Sequence, residues 1–179
     1  MTSINLAQST QKSLIADFFQ KSEGRWHSDR RYYTLPEGNT QEMVSLIRVR
    51  FLEPGSPELI ELAKRHQLPE QNALTCGSEV SWESRDSVSG KKKSAGSTVF
   101  GARENILYRD RGFLTRDPVQ ATFYFANPQT LCLKTEYNGS VFEEELKLIG
   151  DRYRTRQTII SRAGEQQTIG QYLEKRIEE

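Results

Sequence analysis

Three arginines alternate late in the chain, Arg152, Arg154 and Arg156, a few residues after three consecutive glutamates, Glu143, Glu144 and Glu145. Alternate residues of a strand share a face, so these guanidiniums would stand side by side and repel unless anions answer them. Two arrangements do so. On a solvated outer face, Glu143 and Glu145 lie opposite the arginines. In a barrel interior, Glu144 and a bound carboxylate compensate them. Arginine suits a carboxylate because its planar fork donates two parallel hydrogen bonds. The loop at Gly150-Asp151 decides between the two. A two-residue turn pairs Ile149 with Arg152 and Glu145 with Arg156, and the arginines face out. Changing that loop by one residue, as a bulge does, puts Glu144 and Leu146 on the arginine face. The sequence leaves both open.

Other side chains offer less. Trp26, Ser28 and Arg30 share one face of a strand, and Trp82 lies in Val80-Ser81-Trp82-Glu83. Each tryptophan reads as barrel core or as a platform for a flat conjugated ligand. The chain has no GxSxG, Walker A, HExxH or CxxC pattern. Its two histidines, His27 and His66, are far apart, and no zinc ligand set is expected. Cys76 and Cys132 cannot make a disulfide framework and read as reduced, structural thiols inside a cell. Lys91-Lys92-Lys93 reads as a solvated turn or a partner contact.

The elements that would position these groups are mostly strands. Leu6, Leu14, Ile15, Phe18 and Phe19 predict a helix over residues 5–20. Residues 25–35 and 43–52 read as strands, the second with Met43, Ser45, Ile47, Val49 and Phe51 on one face. A short helix over 58–67 follows Pro57, with Leu59, Ile60, Leu62 and Ala63 toward the core. Further strands are expected at 74–85, 95–103, 105–112, 118–126, 130–138, 140–149 and 152–162, with Asn138-Gly139 a strong hairpin signal. Ile169, Tyr172, Leu173 and Ile177 predict a closing helix. About nine hairpin-linked strands make an antiparallel up-and-down meander, which avoids edges by closing into a barrel. Such a barrel has room for one small ligand.

Composition agrees. The chain has 179 residues, suiting a single domain over 1–179, and only 35% hydrophobic residues, as a barrel with a polar lining needs. With 25 Lys+Arg against 24 Asp+Glu, the net charge of +1 argues against nucleic acid. The first residues lack a signal-peptide pattern, and no apolar run approaches the roughly 18 residues of a membrane span. A cytosolic protein is expected.

Several short patterns, in order, resemble one family. They are Asp17-Phe18-Phe19 with Ser22-Glu23-Gly24-Arg25-Trp26, then Trp26-x-Ser28-x-Arg30, Cys76-Gly77, Val80-Ser81-Trp82, Gly96-Ser97-Thr98-Val99, Thr135-Glu136-Tyr137, Glu143-Glu144 and Arg154-x-Arg156. Together they resemble the S-type (CpcS/CpeS) phycobiliprotein chromophore lyases, which are lipocalin-like or fatty-acid-binding-protein-like barrels. The resemblance implies a mainly β fold that binds a linear tetrapyrrole such as phycocyanobilin. It implies delivery of that bilin to a cysteine of an apo-phycobiliprotein subunit, where a thioether forms. The bilin is then substrate rather than cofactor, no metal is required, and the setting is a cyanobacterial cytosol or an algal plastid stroma. Arg154 and Arg156 would clamp the two propionates, with Arg30 and Ser28 nearby. Glu144 would meet the pyrrole nitrogens, and Trp26 or Trp82 would carry the conjugated face. Glu144 and Arg154 are the expected catalytic pair. Tyr33 stands where members commonly carry a histidine, and Lys147-Leu148 where Trp-Phe is usual. Those departures admit a partner subunit of a two-protein lyase, as a homodimer or with a sister protein. A non-catalytic carrier of a fatty acid or other carboxylate is the other reading.

Overall fold

The computed structural model describes residues 2–178, with side chains described for Ala7 and for residues 10–178. Leu6, expected on the first helix, lies outside the described side chains. Helix α1 (Thr2–Ser22) precedes strands β1 (Gly24–Thr34) and β2 (Asn39–Leu52). Helix α2 (Pro57–Arg65) is inserted before β3 (Cys76–Asp86), β4 (Lys92–Arg103), β5 (Ile106–Arg109) and β6 (Val119–Asn127). The chain continues as β7 (Thr130–Tyr137), β8 (Ser140–Ile149), β9 (Tyr153–Arg162) and β10 (Glu165–Ile177). Each strand pairs antiparallel with its successor, and β10 returns to pair with β1, Arg25 opposite Ile177 and Thr34 opposite Thr168. The sheet is a closed up-and-down barrel of ten strands and has no free edge.

The closing segment corrects one expectation. Residues 169–177 form strand β10 and no helix. The helical spacing of Ile169, Tyr172, Leu173 and Ile177 misled because the inward face carries Gly170, Tyr172 and Glu174, all buried, while Leu173 is half exposed outside. An inward glycine and glutamate conceal a period of two. Two flanking ladders supply the hydrogen bonds that hold the segment extended.

Helix α1 plugs one end of the barrel. Ile15, Phe18 and Phe19 pack with Trp26, Val49, Phe123 and Leu148 in the main core. Arg176 fastens this end by donating hydrogen bonds to the carbonyls of Lys21 (2.6 Å), Glu23 and Asp151 (2.8 Å). Cations suit the exposed carbonyls of a helix C-terminus. Helix α2 lies outside the sheet. Its Leu59, Leu62 and Ala63 form a second apolar cluster with Leu52, Leu74 and Tyr108, so these residues do not face the barrel interior. Gly101 permits this approach, since a Cβ there would lie 2.6 Å from Leu74 and 3.0 Å from Leu62. Among the described residues, no helix is long and apolar enough to cross a membrane.

The β8–β9 connection settles the direction of the arginines. The loop has three residues, Gly150, Asp151 and Arg152, so Ile149 pairs with Tyr153, Leu148 with Arg154 and Leu146 with Arg156. The two-residue register does not form. Arg154 and Arg156 point inward, while Arg152 precedes the strand and lies in solvent, 3.7 Å from Glu178. Arg154 is buried, and its Nε donates to Glu174 Oε1 at 2.7 Å across the β9–β10 ladder. Burial pushes the Glu174 carboxyl up, but Arg154 and Arg156 outweigh it, and the net direction is down.

A folded-state pKa below the unfolded one gives stability that is present above the unfolded value and lost as pH falls through the folded value. Glu174→Gln leaves Arg154 buried without its anion, and should destabilise the barrel by about 3–5 kcal/mol at neutral pH. The gap between wild type and variant should shrink as pH drops below the ordinary carboxylate range. Urea unfolding at a series of pH values measures it, and a pH-independent gap would contradict the ion-pair account.

Candidate functional site

Above the α1 plug the barrel encloses a cavity of about 320 Å³ that opens toward the far hairpins. Binding pockets for small molecules commonly reach roughly 300–1,000 Å³. The lower wall is apolar, with Phe18, Phe19, Ile47, Val49, Leu107 and Leu131. The rest of the wall is cationic at several depths. Arg30 from β1, Arg109 from β5, Arg111 just beyond it, and Arg154 and Arg156 from β9 all line the space.

Two carboxylates face these five cations. Glu144, buried on β8, accepts from Arg156 Nε at 3.0 Å and from its Nη2. Glu174 accepts from Arg154 and is fully buried behind the lining. Burial works against the charge of Arg156, but Glu144, Tyr172 and Glu174 outweigh it and hold the guanidinium's pKa above its ordinary value. The remaining three cations have no carboxylate in ion-pair contact among the described residues. Arg30 Nε donates to Ser28 Oγ at 3.2 Å and its guanidinium lies 4.9 Å over the Tyr172 ring. Arg111 lies 5.6 Å over Trp82. Arg109 donates from Nε to Thr98 Oγ1 at 3.1 Å and sits 4.9 Å from the Phe100 ring and 4.7 Å from that of Phe113. Burial, with repulsion from Arg156, pushes the Arg109 guanidinium down to about 10, against the pull of Glu144 and Asp110. It stays protonated at neutral pH.

Aromatic rings complete the walls. Trp82 lies flat across β4 because its cross-strand partner is Gly96, where a Cβ would come within 2.9 Å of the indole. On the opposite side Phe113 stacks on Phe142 at 5.1 Å, and Phe142 on Tyr137 at 4.8 Å. The Tyr137 hydroxyl accepts from the Leu114 amide at 2.8 Å, which fixes the loop carrying Arg111 and Phe113 beside the mouth. Among the described residues, five buried side-chain oxygens have no hydrogen-bond partner, and three of them lie around this cavity: Ser22 Oγ and Thr158 Oγ1 on its wall and Glu174 Oε2 behind it. Burying such atoms unpaired costs free energy.

The structure brings Arg30, Trp82, Glu144, Arg154 and Arg156 to one cavity. Trp26 and Ser28 are not on its lining. Both are fully buried. Trp26 donates from Nε1 to the Ser22 carbonyl at 2.9 Å, with the guanidiniums of Arg154 and Arg176 over its ring at 4.9 and 4.3 Å. Its role is to seat Arg154, and Ser28 orients Arg30. Sequence reasoning missed Arg109, Arg111, Phe113 and Tyr172. The pattern Arg109-x-Arg111 held a signal of the same kind as Arg154-x-Arg156. Cys76 is buried, which pushes its thiol up to about 11, and Cys132 is buried too. Among the described residues, no group of three His, Cys, Asp or Glu side chains is placed to hold a metal ion.

Comparison with known proteins gives one answer at three levels. A protein of Nostoc sp. named "Putative phycocyanobilin lyase CpcS 2" is 63% identical over 172 residues, covering 96% of each chain. The "Chromophore lyase CpcS/CpeS" of Thermosynechococcus vestitus is 32% identical over 157 residues, covering 84% of this chain and 85% of its own. Among solved structures, the S-type phycobiliprotein lyase CPES from Guillardia theta superposes with a TM-score of 0.77 at 22% identity, covering 92% of this chain and 93% of that one, a likeness of fold. The sequence profile of the family described as CpeS-like protein matches residues 14–177. The chain belongs to the CpeS-like family.

Proposed function

We propose that this protein is a bilin lyase: it binds a linear tetrapyrrole of the phycocyanobilin type in the barrel and presents it to a cysteine of an apo-phycobiliprotein subunit. The observation that carries the reading is the charge imbalance of the cavity, five guanidiniums against two carboxylates, beside an aromatic wall. A ligand that answers it is conjugated and carries more than one carboxylate, as a bilin with two propionates does. The names of the family's members support the same substrate.

The chemistry asks little of the lyase in bond making. The acceptor's thiolate adds to the ethylidene carbon of ring A, one carbon–sulfur bond forms, and a proton ends on the neighbouring ring carbon. No redox partner or resident cofactor enters this balance. The lyase contributes by holding the pigment in one conformation at the mouth and by excluding competing nucleophiles. Its own thiols do not compete. Cys76 is protonated at neutral pH, because burial raises its pKa to about 11, and Cys132 is likewise enclosed. Glu144 supplies the acceptor for pyrrole N–H groups, held by Arg156. Trp82 supplies the stacking face. Such a reaction belongs in the compartment where apo-phycobiliprotein is made, the cyanobacterial cytosol or the plastid stroma.

Mixing the protein with phycocyanobilin should change the visible absorption of the pigment, and acid with denaturant should release all of it unmodified. Adding an apo-phycobiliprotein should then yield a zinc-fluorescent, acid-stable adduct on the acceptor. A carboxylate carrier would bind palmitate in competition and give no adduct, and an auxiliary subunit would need a sister protein for it. Glu144→Gln keeps the side chain's shape and removes its charge. The variant should bind the bilin with an altered spectrum and form the adduct about tenfold more slowly, since a positioning hydrogen bond to a charged group contributes roughly 1.5–3 kcal/mol and 1.4 kcal/mol is tenfold. Wild-type spectrum and rate in this variant would remove Glu144 from the site.

A further inference from the structure

The arginines of this cavity are not equivalent, and their partners divide them. Arg154 is buried with its Nε on Glu174. Arg156 turns both Nε and Nη2 to Glu144. Each already has its anion. Arg109 has none, yet it is the most firmly seated of the remaining three. Its Nε donates to Thr98 Oγ1 at 3.1 Å, and Thr98 in turn donates to Asp110 Oδ1 at 2.7 Å. Asp110 is fixed by the Val99 amide, which donates to the same oxygen at 3.0 Å. On the outer side the Arg109 carbonyl accepts a hydrogen bond from His66 Nε2 at 2.9 Å, and His66 packs edge-on against Tyr108. Phe100 and Phe113 flank the guanidinium. The terminal nitrogens Nη1 and Nη2 meet no protein acceptor among the described residues. A planar fork, oriented through its Nε, flanked by rings and left with both terminal nitrogens free, is a receptor for one carboxylate held by two parallel hydrogen bonds.

We infer that Arg109, positioned by Thr98 and Asp110, is the ligand-binding residue that takes a carboxylate of the bound pigment, while Arg154 and Arg156 hold the barrel's own glutamates. This inference rests on the bilin-binding reading and adds to it the identity of the anchoring cation. The same contact selects ligands bearing a carboxylate on a flexible arm beside a conjugated body, because Phe113 and Phe100 flank the charge with flat apolar surface. Binding would also relieve the repulsion between Arg109 and Arg156 by placing an anion between them.

The test is a cycle between the side chain and the ligand. Phycocyanobilin and its dimethyl ester are titrated into wild type and into Arg109→Gln, with binding read from visible absorption. Wild type should prefer the free acid by about tenfold or more, since a hydrogen bond to a charged group contributes roughly 1.5–3 kcal/mol and 1.4 kcal/mol is tenfold. Arg109→Gln should weaken the acid by about tenfold and leave the ester nearly unchanged, so that the preference falls by that factor, the remainder coming from the second propionate and the other free cations. Thr98→Val, which keeps the charge and loses the orienting hydroxyl, should reduce the preference by a smaller factor. Arg109→Lys keeps the charge without the fork, and should also retain part of it. This variant serves as the test if Arg109→Gln does not fold. Retention of the full wild-type preference in Arg109→Gln, or in Arg109→Lys where the glutamine variant is unfolded, would overturn the inference and leave the bilin reading standing. Failure of wild type to bind either form would overturn the reading itself.

Discussion

A guanidinium enclosed by a closed sheet is costly unless an anion answers it, and this constraint organises the protein. Closing β10 onto β1 sends every second residue of ten strands inward, and the inward rows of β1, β5, β9 and β10 carry arginines. Taking such charges out of water is expensive unless they are paired. The barrel answers with Glu174 and Glu144 placed on the strands adjacent to the arginine row of β9. The remaining positive charge is left facing the cavity. The paired set is thus compensated within the fold, and the unpaired set leaves the cavity with an excess of positive charge.

The cations also differ in what surrounds them. Arg154, with Glu174 and Trp26, lies against the α1 plug, and Arg176 ties that end together through the carbonyls of Lys21, Glu23 and Asp151. Arg109, Arg111 and Phe113 lie toward the open end, where the loop after β5 is held by the stack of Phe113, Phe142 and Tyr137. The apolar floor, with Phe18 and Phe19, belongs to the plug end. On the proposed function, an extended pigment with acidic arms would find its charge partners already in place. Preorganised charge of this kind acts without the reorganisation that water would demand. It suits a protein whose part in the reaction is to hold and to shield.

Much of this was legible beforehand. Hairpin signals such as Asn138-Gly139 and the alternation of Ser45, Ile47 and Val49 give the meander, and the low apolar content gives a polar-lined interior. Both helices were visible in their apolar spacing. The closing strand was hidden because its inward positions are Gly170, Tyr172 and Glu174, and its outward Leu173 imitates a helical stripe. Periodicity reads hydrophobicity, so a strand whose buried face is polar goes undetected. The alternation Arg109-x-Arg111 stood in the sequence as well, but the strand ends at Arg109 and no run of glutamates beside it marks which face is buried.

The amino-acid order by itself determined the strand count to within one, the hairpin order and the presence of alternating cations near a run of glutamates, because these depend on local turn chemistry and on a period of two. It did not determine where the cations point. One additional loop residue between Ile149 and Tyr153 turned Arg154 and Arg156 from solvent to interior, and a strand has no preference for either face until its neighbours are in place. Which arginines are neutralised and which remain free was decided later still, by cross-strand register bringing Glu174 to Arg154 and Glu144 to Arg156 while no carboxylate comes into contact with Arg109. Such pairings join residues distant in the chain, and only the closed sheet sets them side by side.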